Sequence, residues 1–257
     1  MGVLSGTVGT TRLLGCDFAS LDVEQATSLI LGRPPNAPFG YVVTPNADHL
    51  VRLSRLPGLD AVYRAAWLRL LDSRVVARAA RMVGLSAPAV CPGSDLTACL
   101  LKRLPPHTPV TVIGASTATL GRLGLSHAAH YAPPFGFIRD AEAIEMAVRL
   151  VLAHPSQVTF FAVGSPQQEL LALAVRASGR ASGTGLCIGA SLSFLSGERK
   201  RAPRVLQLAG LEWAHRLAEE PSRLWRRYLL DSPRVFQLLW RARGSAAGAD
   251  AAIERPG

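Results

Sequence analysis

Short apolar runs rich in β-branched residues alternate with amphipathic helical stretches through the first two hundred residues of the chain. This alternation is typical of a parallel sheet, because each parallel strand needs a crossover that is usually a helix. The predicted strands are residues 41–44, 67–71, 110–114, 158–163 and 185–188. The predicted helices between them include residues 47–55, 73–83, 96–103, 140–152 and 167–176. The sequence therefore predicts an α/β fold with helices on both faces of the sheet.

The composition fits one globular domain with a C-terminal addition. The chain has 257 residues, of which 49% are hydrophobic and 18% are charged, so it can bury a substantial core. We expect an α/β core at residues 1–196, a helical appendage at 197–243 and a disordered tail at 244–257. Pro203, Pro221 and Pro233 divide the appendage into helical pieces. We also expect the core to fold without the appendage.

The C-terminal region combines arginines with large apolar residues. Four arginines recur at offsets of 7, 11 and 18 residues, which places them on one side of a helix: Arg216, Arg223, Arg227 and Arg234. Tryptophan, tyrosine and leucine side chains lie beside and between them: Trp213, Leu217, Leu224, Trp225, Tyr228 and Leu229. One interpretation is a segment that binds a phosphorylated, membrane-associated ligand. The alternative is a solvated basic helix that packs on its own domain.

The net charge of +10 is concentrated in this region, where residues 199–243 contain eleven Lys and Arg and four acids. Such a surplus attracts nucleic acid, anionic lipid or a nucleotide diphosphate. A nucleic-acid-binding protein is disfavoured, because the sequence has no helix-turn-helix, RNP or zinc-finger pattern.

The four cysteines show neither a CxxC spacing nor the density of a disulfide scaffold. We therefore expect reduced thiols in the cytoplasm. Residues 13–16 (LLGC) resemble a lipoprotein cleavage box, but residues 1–11 lack a cationic start and a continuous apolar core, so we do not expect export. No window approaches the ~18–20 apolar residues that span a bilayer, so any membrane contact is expected to be peripheral.

Small and polar residues follow most of the predicted strands. In an open parallel sheet the ligand lies beyond the carboxyl ends of the strands. Six such corners occur, at residues 44–46, 72–73, 93–95, 114–116, 164–169 and 189–191. These corners contribute Thr44, Asn46, Ser94, Asp95, Gly164, Gln168 and Glu169 as candidate binding residues. Turns of this composition are common in α/β proteins, but six in one chain favour a nucleotide-type ligand.

Asp72 follows the apolar run WLRLL and is predicted to stand at the mouth of the sheet. Its carboxylate could act as a general base toward a sugar hydroxyl, or it could cap the next helix; the residues alone favour the cap. Residues 114–121 (GASTATLG) lack the G-x-G-x-x-G order, which disfavours a nicotinamide enzyme. His127 and His130 have no third ligand, so no metal site is predicted.

The ordered series of motifs resembles the WecG/TagA/CpsF family of bacterial glycosyltransferases over residues 12–240. The matching segments are 44–49 (TPNADH), Asp72 with the helix 75–84, 93–96 (GSDL), 163–169 (VGSPQQE), 189–191 (GAS), 194–197 (FLSG), 201–203 (RAP) and, in the appendage, 212–213 (EW), 216–217 (RL), 220–221 (EP), 223–224 (RL) and 226–228 (RRY). No single motif is decisive, and the specificity comes from the whole series.

The resemblance implies a Rossmann-like enzyme that transfers a sugar from a UDP-sugar to a polyprenyl-diphosphate-linked sugar, with inversion at the anomeric carbon. The product would enter cell-surface polysaccharide synthesis at the inner face of the cytoplasmic membrane. Asp72 is implied as the base, and Thr44, Asn46 and Gln168 as pocket residues. The appendage is implied to contact an anionic membrane and to bring three arginines over the pocket: Arg216, Arg223 and Arg226.

No cofactor or metal is expected, because arginines and helix N-termini can stabilise the charge on departing UDP and the chain has no DxD-like motif. Ser73 and Arg74 stand where the family usually has glycine and an apolar residue, and Ser193 stands where it often has an acid. These departures leave the donated sugar open among hexoses, N-acetylhexosamines and their uronic acids. The acceptor sugar and a homo-oligomeric state also stay open. An inactive membrane-associated scaffold is the alternative function.

Overall fold

A six-stranded parallel sheet forms the centre of the structure, and a two-stranded hairpin precedes it. The structure is a computed structural model that describes residues 8–253, without the side chains of Pro57, Arg223 and residues 245–253. The strands are β1 Thr10–Leu13, β2 Cys16–Ala19, β3 Gly40–Val43, β4 Leu68–Arg69, β5 Val110–Gly114, β6 Ala129–Tyr131, β7 Val158–Ala162 and β8 Thr184–Cys187. β1 and β2 pair in antiparallel fashion, and the sheet has the order β4-β3-β8-β7-β5-β6.

Helices cover both faces of this sheet and form the C-terminal region. They are α1 Val23–Leu31, α2 Ala47–Leu53, α3 Pro57–Arg64, α4 Arg74–Met82, α5 Gly93–Arg103, α6 Thr117–Arg122, α7 Ala141–Ala153, α8 Gln167–Ala177, α9 Ser191–Leu195, α10 Arg204–Ala209, α11 Glu212–Glu219, α12 Pro221–Trp225 and α13 Arg234–Ile253. A short 3-10 helix occupies Phe137–Arg139, and a π-helical turn occupies Arg226–Asp231. The predicted α/β fold is confirmed.

All five predicted strands form, and three further strands were missed. The predicted strand 67–71 pairs with β3 only at Leu68–Arg69, and Leu71 continues as an isolated bridge to Val90. The hairpin β1–β2 and the edge strand β6 were not predicted. Both consist of segments of only three or four residues with few β-branched apolar side chains, so their apolar pattern is weak.

Side chains that alternate along the strands build two cores. Val42, Phe160 and Leu186 face one side, where α1, α5, α6 and α9 pack against them. Their neighbours Val43 and Phe161 face the other side, toward α3, α7 and α8. This alternation follows from the two-residue period of a strand, and burial on both faces explains why the strands read as continuous apolar runs.

A third core joins the C-terminal region to the rest of the chain. Val235 and Leu239 of α13 are each 1% exposed and pack with the hairpin, α2 and α4. Residues 197–243 therefore contribute to a buried core, and folding of the core without them stays a prediction. The helix α13 also continues to Ile253, where a disordered tail was expected from residue 244; the alanine-rich sequence there has high helix propensity. Residues 254–257 lie outside the described residues.

The carboxyl ends of β3, β8 and β7 lie side by side in the middle of the sheet. The chain segments that leave β3 and β4 are joined by two backbone hydrogen bonds, from Leu70 to Val43 and from Asp72 to Pro45. The corner after β4 is thereby fixed beside the corner after β3. Among the described helices, none is both long and apolar enough to cross a bilayer.

We expect Leu239→Ala to lower the free energy of unfolding by about 2–5 kcal/mol, because it opens a cavity in the third core. The matched control is Trp240→Ala on the same helix, where the side chain is 63% exposed and the expected loss is less than about 1 kcal/mol. Urea unfolding measures both. Equal, small losses would show that α13 adds little to the folded core.

Candidate active site

A polar cavity of about 410 Å³ opens at the carboxyl edge of the sheet. Its wall comes from the loops after β3, β4, β7 and β8, from the start of α5 and from the appendage. The lining includes Thr44, Asn46, His49, Arg52, Asp72, Ser94, Gly164, Ser165, Gln168, Gly189, Ser191, Phe194, Arg199, Lys200, Glu212, Arg216, Arg227 and Tyr228. The cavity therefore lies where ligands bind in open α/β sheets.

Most of the residues singled out in the sequence meet in this cavity. Those that line it are Thr44, Asn46, Asp72, Ser94, Gly164, Gln168 and Arg216. Asp95, Glu169 and Arg226 are not part of the lining, and the side chain of Arg223 lies outside the described residues. The corner at residues 114–116, after β5, also does not reach the cavity.

Asp72 is held by the backbone of its neighbours. Its N–H donates to the carbonyl of Pro45 at 2.9 Å, and its carboxylate accepts a hydrogen bond from the N–H of Gly93. It does not cap α4, because Ser73 is the N-cap and its Oγ accepts from the N–H of Val76 at 3.1 Å. The cap role that the residues alone favoured for Asp72 is therefore wrong, because the next residue takes it.

The pKa of Asp72 is raised from 3.8 to about 7. Burial is the largest cause, and the nearby negative charge of Glu212 adds to it. The hydrogen bond from Gly93 and the positive charge of Arg216 act in the opposite direction without cancelling these effects. A carboxyl with a pKa near neutrality can accept a proton and release it again at physiological pH, as a general base must.

Gly93 allows three cavity residues to approach one another. A Cβ atom at this position would lie 2.8 Å from Oγ1 of Thr44 and 3.7 Å from Oδ2 of Asp72. The first distance is too short for a Cβ atom unless Thr44 shifts, so glycine preserves this arrangement where α5 begins.

His49 contributes to the cavity although it was not among the predicted site residues. Its Nδ1 accepts a hydrogen bond from the N–H of Asn46 at 3.2 Å, while the side chain of Asn46 caps α2. Burial, followed by the positive charges of Arg227 and Arg52, lowers the pKa of His49 to about 3. His49 is therefore a neutral group that shapes the loop after β3, and the capping-box spacing of Asn46 and His49 was the available sequence signal.

Gln168 connects two of the loops at the carboxyl edge. Its Oε1 accepts from the N–H of Gly189 at 2.8 Å, and its Nε2 donates to Oε1 of Glu169 at 2.9 Å. Glu169 is only 1% exposed, and burial raises the pKa of its carboxyl. Glu169 thus lies behind the cavity wall and fixes the orientation of the Gln168 amide.

Arg216 and Arg227 bring unused hydrogen-bond donors to the cavity. Arg216 stacks on Phe194 at 4.7 Å and donates from Nη2 to Glu212 at 3.0 Å. Arg227 pairs with Asp48 at 3.3 Å. The Nε atoms of both arginines are buried, and no described residue accepts a hydrogen bond from them. Buried donors of this kind are normally satisfied by a protein group, a water or a ligand, so the two arginines are candidates for binding an oxyanion in the cavity.

Asp48 joins the appendage to the core of the site. Its carboxylate contacts Arg52 at 2.5 Å and Arg227 at 3.3 Å. Arg52 also donates to Oγ of Ser165, in the loop after β7, at 3.0 Å. This network holds Arg227 in the wall of the polar cavity. The resemblance instead implied Arg226, which is exposed, whereas Arg227 has the 11-residue offset from Arg216 noted in the sequence.

A second cavity of about 500 Å³ meets the first at Asp72. It is mainly apolar and runs between the start of α4, the corner between α10 and α11, and the start of α13. Its apolar lining includes Val75, Pro92, Leu211, Trp213, Leu229, Pro233, Val235 and Phe236. The residues that line both cavities are Asn46, Asp72, Glu212, Arg216, Arg227 and Tyr228. Asp72 therefore lies in the wall that the polar and the apolar cavity share.

A metal site was not found among the described residues, where no three His, Cys, Asp or Glu side chains come together in a suitable group.

The raised pKa of Asp72 predicts a pH-dependent gain of stability in Asp72→Asn. The carboxyl destabilises the fold at any pH at which it is ionised more fully in the unfolded chain than in the folded chain. This loss of folding free energy is absent below pH 3.8, grows as the pH rises and reaches its full value above about pH 7. We expect the melting temperature of the variant, relative to wild type, to rise between pH 4 and pH 7 and then to level off. A difference that does not change with pH would contradict the raised pKa.

Comparison with known proteins agrees with this geometry. The sequence matches the model of the glycosyl transferase WecG/TagA/CpsF family over residues 11–248 of 257. The match covers the parallel sheet, every loop of the polar cavity and the helices that close both cavities. The chain therefore belongs to the WecG/TagA/CpsF family and is a glycosyltransferase.

Proposed function

We propose that this protein is an inverting glycosyltransferase that uses a UDP-sugar and a polyprenyl-diphosphate-linked acceptor sugar in cell-surface polysaccharide synthesis. The donated group is a hexose, an N-acetylhexosamine or its uronic acid. One observation carries the proposal: Asp72, with a pKa near neutrality, lies between a polar cavity that offers arginine donors and a separate apolar cavity.

The polar cavity suits the UDP part of the donor. The buried Nε groups of Arg216 and Arg227 can donate to diphosphate oxygens, and both guanidinium groups are already oriented by Glu212 and Asp48. Such preorganised donors cost little to arrange when charge develops on the leaving group. The loop that starts α8, at Gly164 and Ser165, adds backbone groups at a helix N-terminus.

The apolar cavity suits the lipid-linked acceptor. Its polar end is the shared wall at Asp72, and the remainder is lined by side chains of α4, α10, α11, the π-helical turn and α13 and by Pro92. A sugar at the shared wall would present its hydroxyl to Asp72, while the first isoprene units would lie against apolar side chains such as Leu211 and Phe236.

The reaction then follows as a single displacement. Asp72 takes the proton of the acceptor hydroxyl, and the hydroxyl oxygen forms a bond to the anomeric carbon of the donor. The bond from that carbon to the β-phosphate oxygen breaks, and its electron pair leaves with UDP. Arg216 and Arg227 stabilise the negative charge on the departing diphosphate. Attack from the face opposite to UDP inverts the anomeric configuration, and the two arginines supply the charge stabilisation without a metal ion.

We further propose peripheral binding to the inner face of the cytoplasmic membrane. Large apolar side chains of the appendage are exposed to solvent: Val205, Leu208, Trp225, Leu229, Leu230 and Trp240 are each at least 48% exposed. Arginines lie among them, which favours an anionic lipid surface. The apolar cavity opens within the same region, so a lipid-linked acceptor could enter from the bilayer.

We expect Asp72→Asn to lower kcat about 10²- to 10⁴-fold, because it removes the base and keeps the shape. UDP affinity, measured by calorimetry, should stay within about threefold of wild type, since Asp72 does not contact the diphosphate in this scheme. For wild type, kcat/KM should rise about tenfold per pH unit up to about pH 7 and then level off.

The assay uses a panel of UDP-sugars, a short prenyl-diphosphate-linked N-acetylhexosamine and EDTA. Half or more of wild-type activity in the variant would exclude Asp72 as the base. Loss of wild-type activity in EDTA with recovery in Mg²⁺ or Mn²⁺ would contradict the metal-free reaction. No turnover with any donor would favour the inactive scaffold.

Arg227→Gln should weaken UDP binding about ten- to hundredfold, because it removes a charged donor from the polar cavity. The neighbouring change Arg226→Gln removes the same charge from an exposed position and should alter the dissociation constant by less than about twofold. Calorimetry with UDP compares the two, and melting temperatures exclude unfolding. The reverse order would assign the diphosphate contact to Arg226, as the resemblance implied.

We expect Trp225→Ala and Leu230→Ala each to weaken binding to anionic vesicles by about 1 kcal/mol, or roughly fivefold, because each removes apolar area from the exposed surface. Phe135→Ala is the control, since Phe135 is fully exposed but lies outside the appendage. Vesicle sedimentation measures all three variants. If the Phe135 variant loses as much binding as the other two, the appendage is not the membrane surface.

A further inference from the structure

An arginine begins helix α4 beside the proposed base. Arg74 is the first residue of this helix, and the first turn contains no acidic residue. A helix N-terminus carries partial positive charge, so a cation there opposes the helix dipole. The position of Arg74 is therefore unfavourable for the stability of α4.

The positive charge of Arg74 is only weakly paired within the protein. Its Nη2 lies 3.8 Å from Oδ2 of Asp95, which is beyond hydrogen-bond distance. The other oxygen of Asp95 is held by Arg201 at 2.7 Å, so two arginines share one carboxylate. Within the described part of the chain, Arg74 makes no hydrogen bond through its side chain. Its guanidinium thus keeps most of its donors for another partner.

Arg74 faces one of the two cavities. It lines the apolar cavity next to Asp72 and Ser73 and is not part of the polar cavity. The other two arginines of that lining, Arg216 and Arg227, are paired with Glu212 and Asp48. A weakly paired cation therefore lies at the polar end of a cavity that is otherwise mainly apolar.

We infer that Arg74 binds an oxyanion of the acceptor, so that this enzyme favours acceptors that carry a negative charge close to the hydroxyl that reacts. This inference rests on the proposed function and assigns the acceptor's charge to the apolar cavity. The oxyanion is either the diphosphate that links the acceptor sugar to its lipid or a carboxylate on that sugar. Both are recognised by a guanidinium through the same charged hydrogen bonds.

The test compares three short-chain acceptors with the same N-acetylhexosamine: a neutral alkyl glycoside, a prenyl diphosphate and an alkyl glycoside that carries a carboxylate on the sugar. Arg74→Gln should raise KM at least about tenfold for the anionic acceptor whose charged group binds Arg74. The KM of the neutral glycoside and that of the donor should stay within about twofold. Arg74→Lys should recover part of the loss, because it restores the charge without the planar fork.

Arg81→Gln is the matched control, since Arg81 is an exposed arginine of the same helix that lines neither cavity. The melting temperature of Arg74→Gln should equal or exceed that of wild type, because a cation is removed from the helix N-terminus. A lower melting temperature with unchanged KM values would show that Arg74 only supports Asp95, and would overturn the inference. An equal rise of KM for neutral and anionic acceptors would also overturn it.

The failure of the proposed function can be separated from the failure of this inference. If wild type turns over no acceptor, the proposed function fails, and calorimetry with geranyl diphosphate then tests Arg74 without catalysis. An affinity for geranyl diphosphate that is at least about tenfold lower in Arg74→Gln would still support an oxyanion site. An unchanged affinity would reject this site. If wild type is active and Arg74→Gln has the same acceptor KM values as wild type, the proposed function stands and the inference fails.

Discussion

The partial burial of one carboxylate determines the chemistry that we propose for this molecule. Asp72 leaves the edge strand β4 and is fixed by backbone hydrogen bonds to Pro45 and from Gly93. The absence of a side chain at Gly93 lets Thr44 and Asp72 pack closely. Removal from water raises the pKa of Asp72 to about 7, against the opposing charge of Arg216. A carboxylate left in open water at the same corner would be too weak a base for a sugar hydroxyl at neutral pH.

The appendage completes the site because one of its arginines pairs with the core and another is oriented within the appendage itself. Asp48 of α2 holds Arg227, and Arg216 is oriented by Glu212 within α11. These pairs leave the Nε donors of both arginines without a hydrogen-bond acceptor among the described residues, so these donors remain for a ligand. The buried side chain of Val235 then packs helix α13 against α2 and α4. The same segment thus closes the polar cavity, forms the apolar cavity and exposes the surface proposed to meet the membrane.

The sheet and most of the site could be predicted from the sequence, because strands buried on both faces leave apolar runs and their carboxyl ends carry short polar motifs. The second cavity could not be predicted, because it depends on the packing of α13 against α2 and α4. Such long-range contacts leave no periodic pattern in the sequence. Helical spacing indicated Arg227, whereas the family resemblance indicated Arg226. A π-helical turn begins at Arg226, so the position of each side chain there depends on the three-dimensional path of the chain.

The most direct test is a crystal structure of the protein with UDP and a short prenyl diphosphate. The account predicts UDP diphosphate oxygens within hydrogen-bond distance of the Nε atoms of Arg216 and Arg227 in the polar cavity. It predicts the prenyl chain in the apolar cavity, with Asp72 between the two ligands. A UDP diphosphate bound away from both arginines, or both ligands on the same side of Asp72, would contradict the division of the site into a donor and an acceptor cavity.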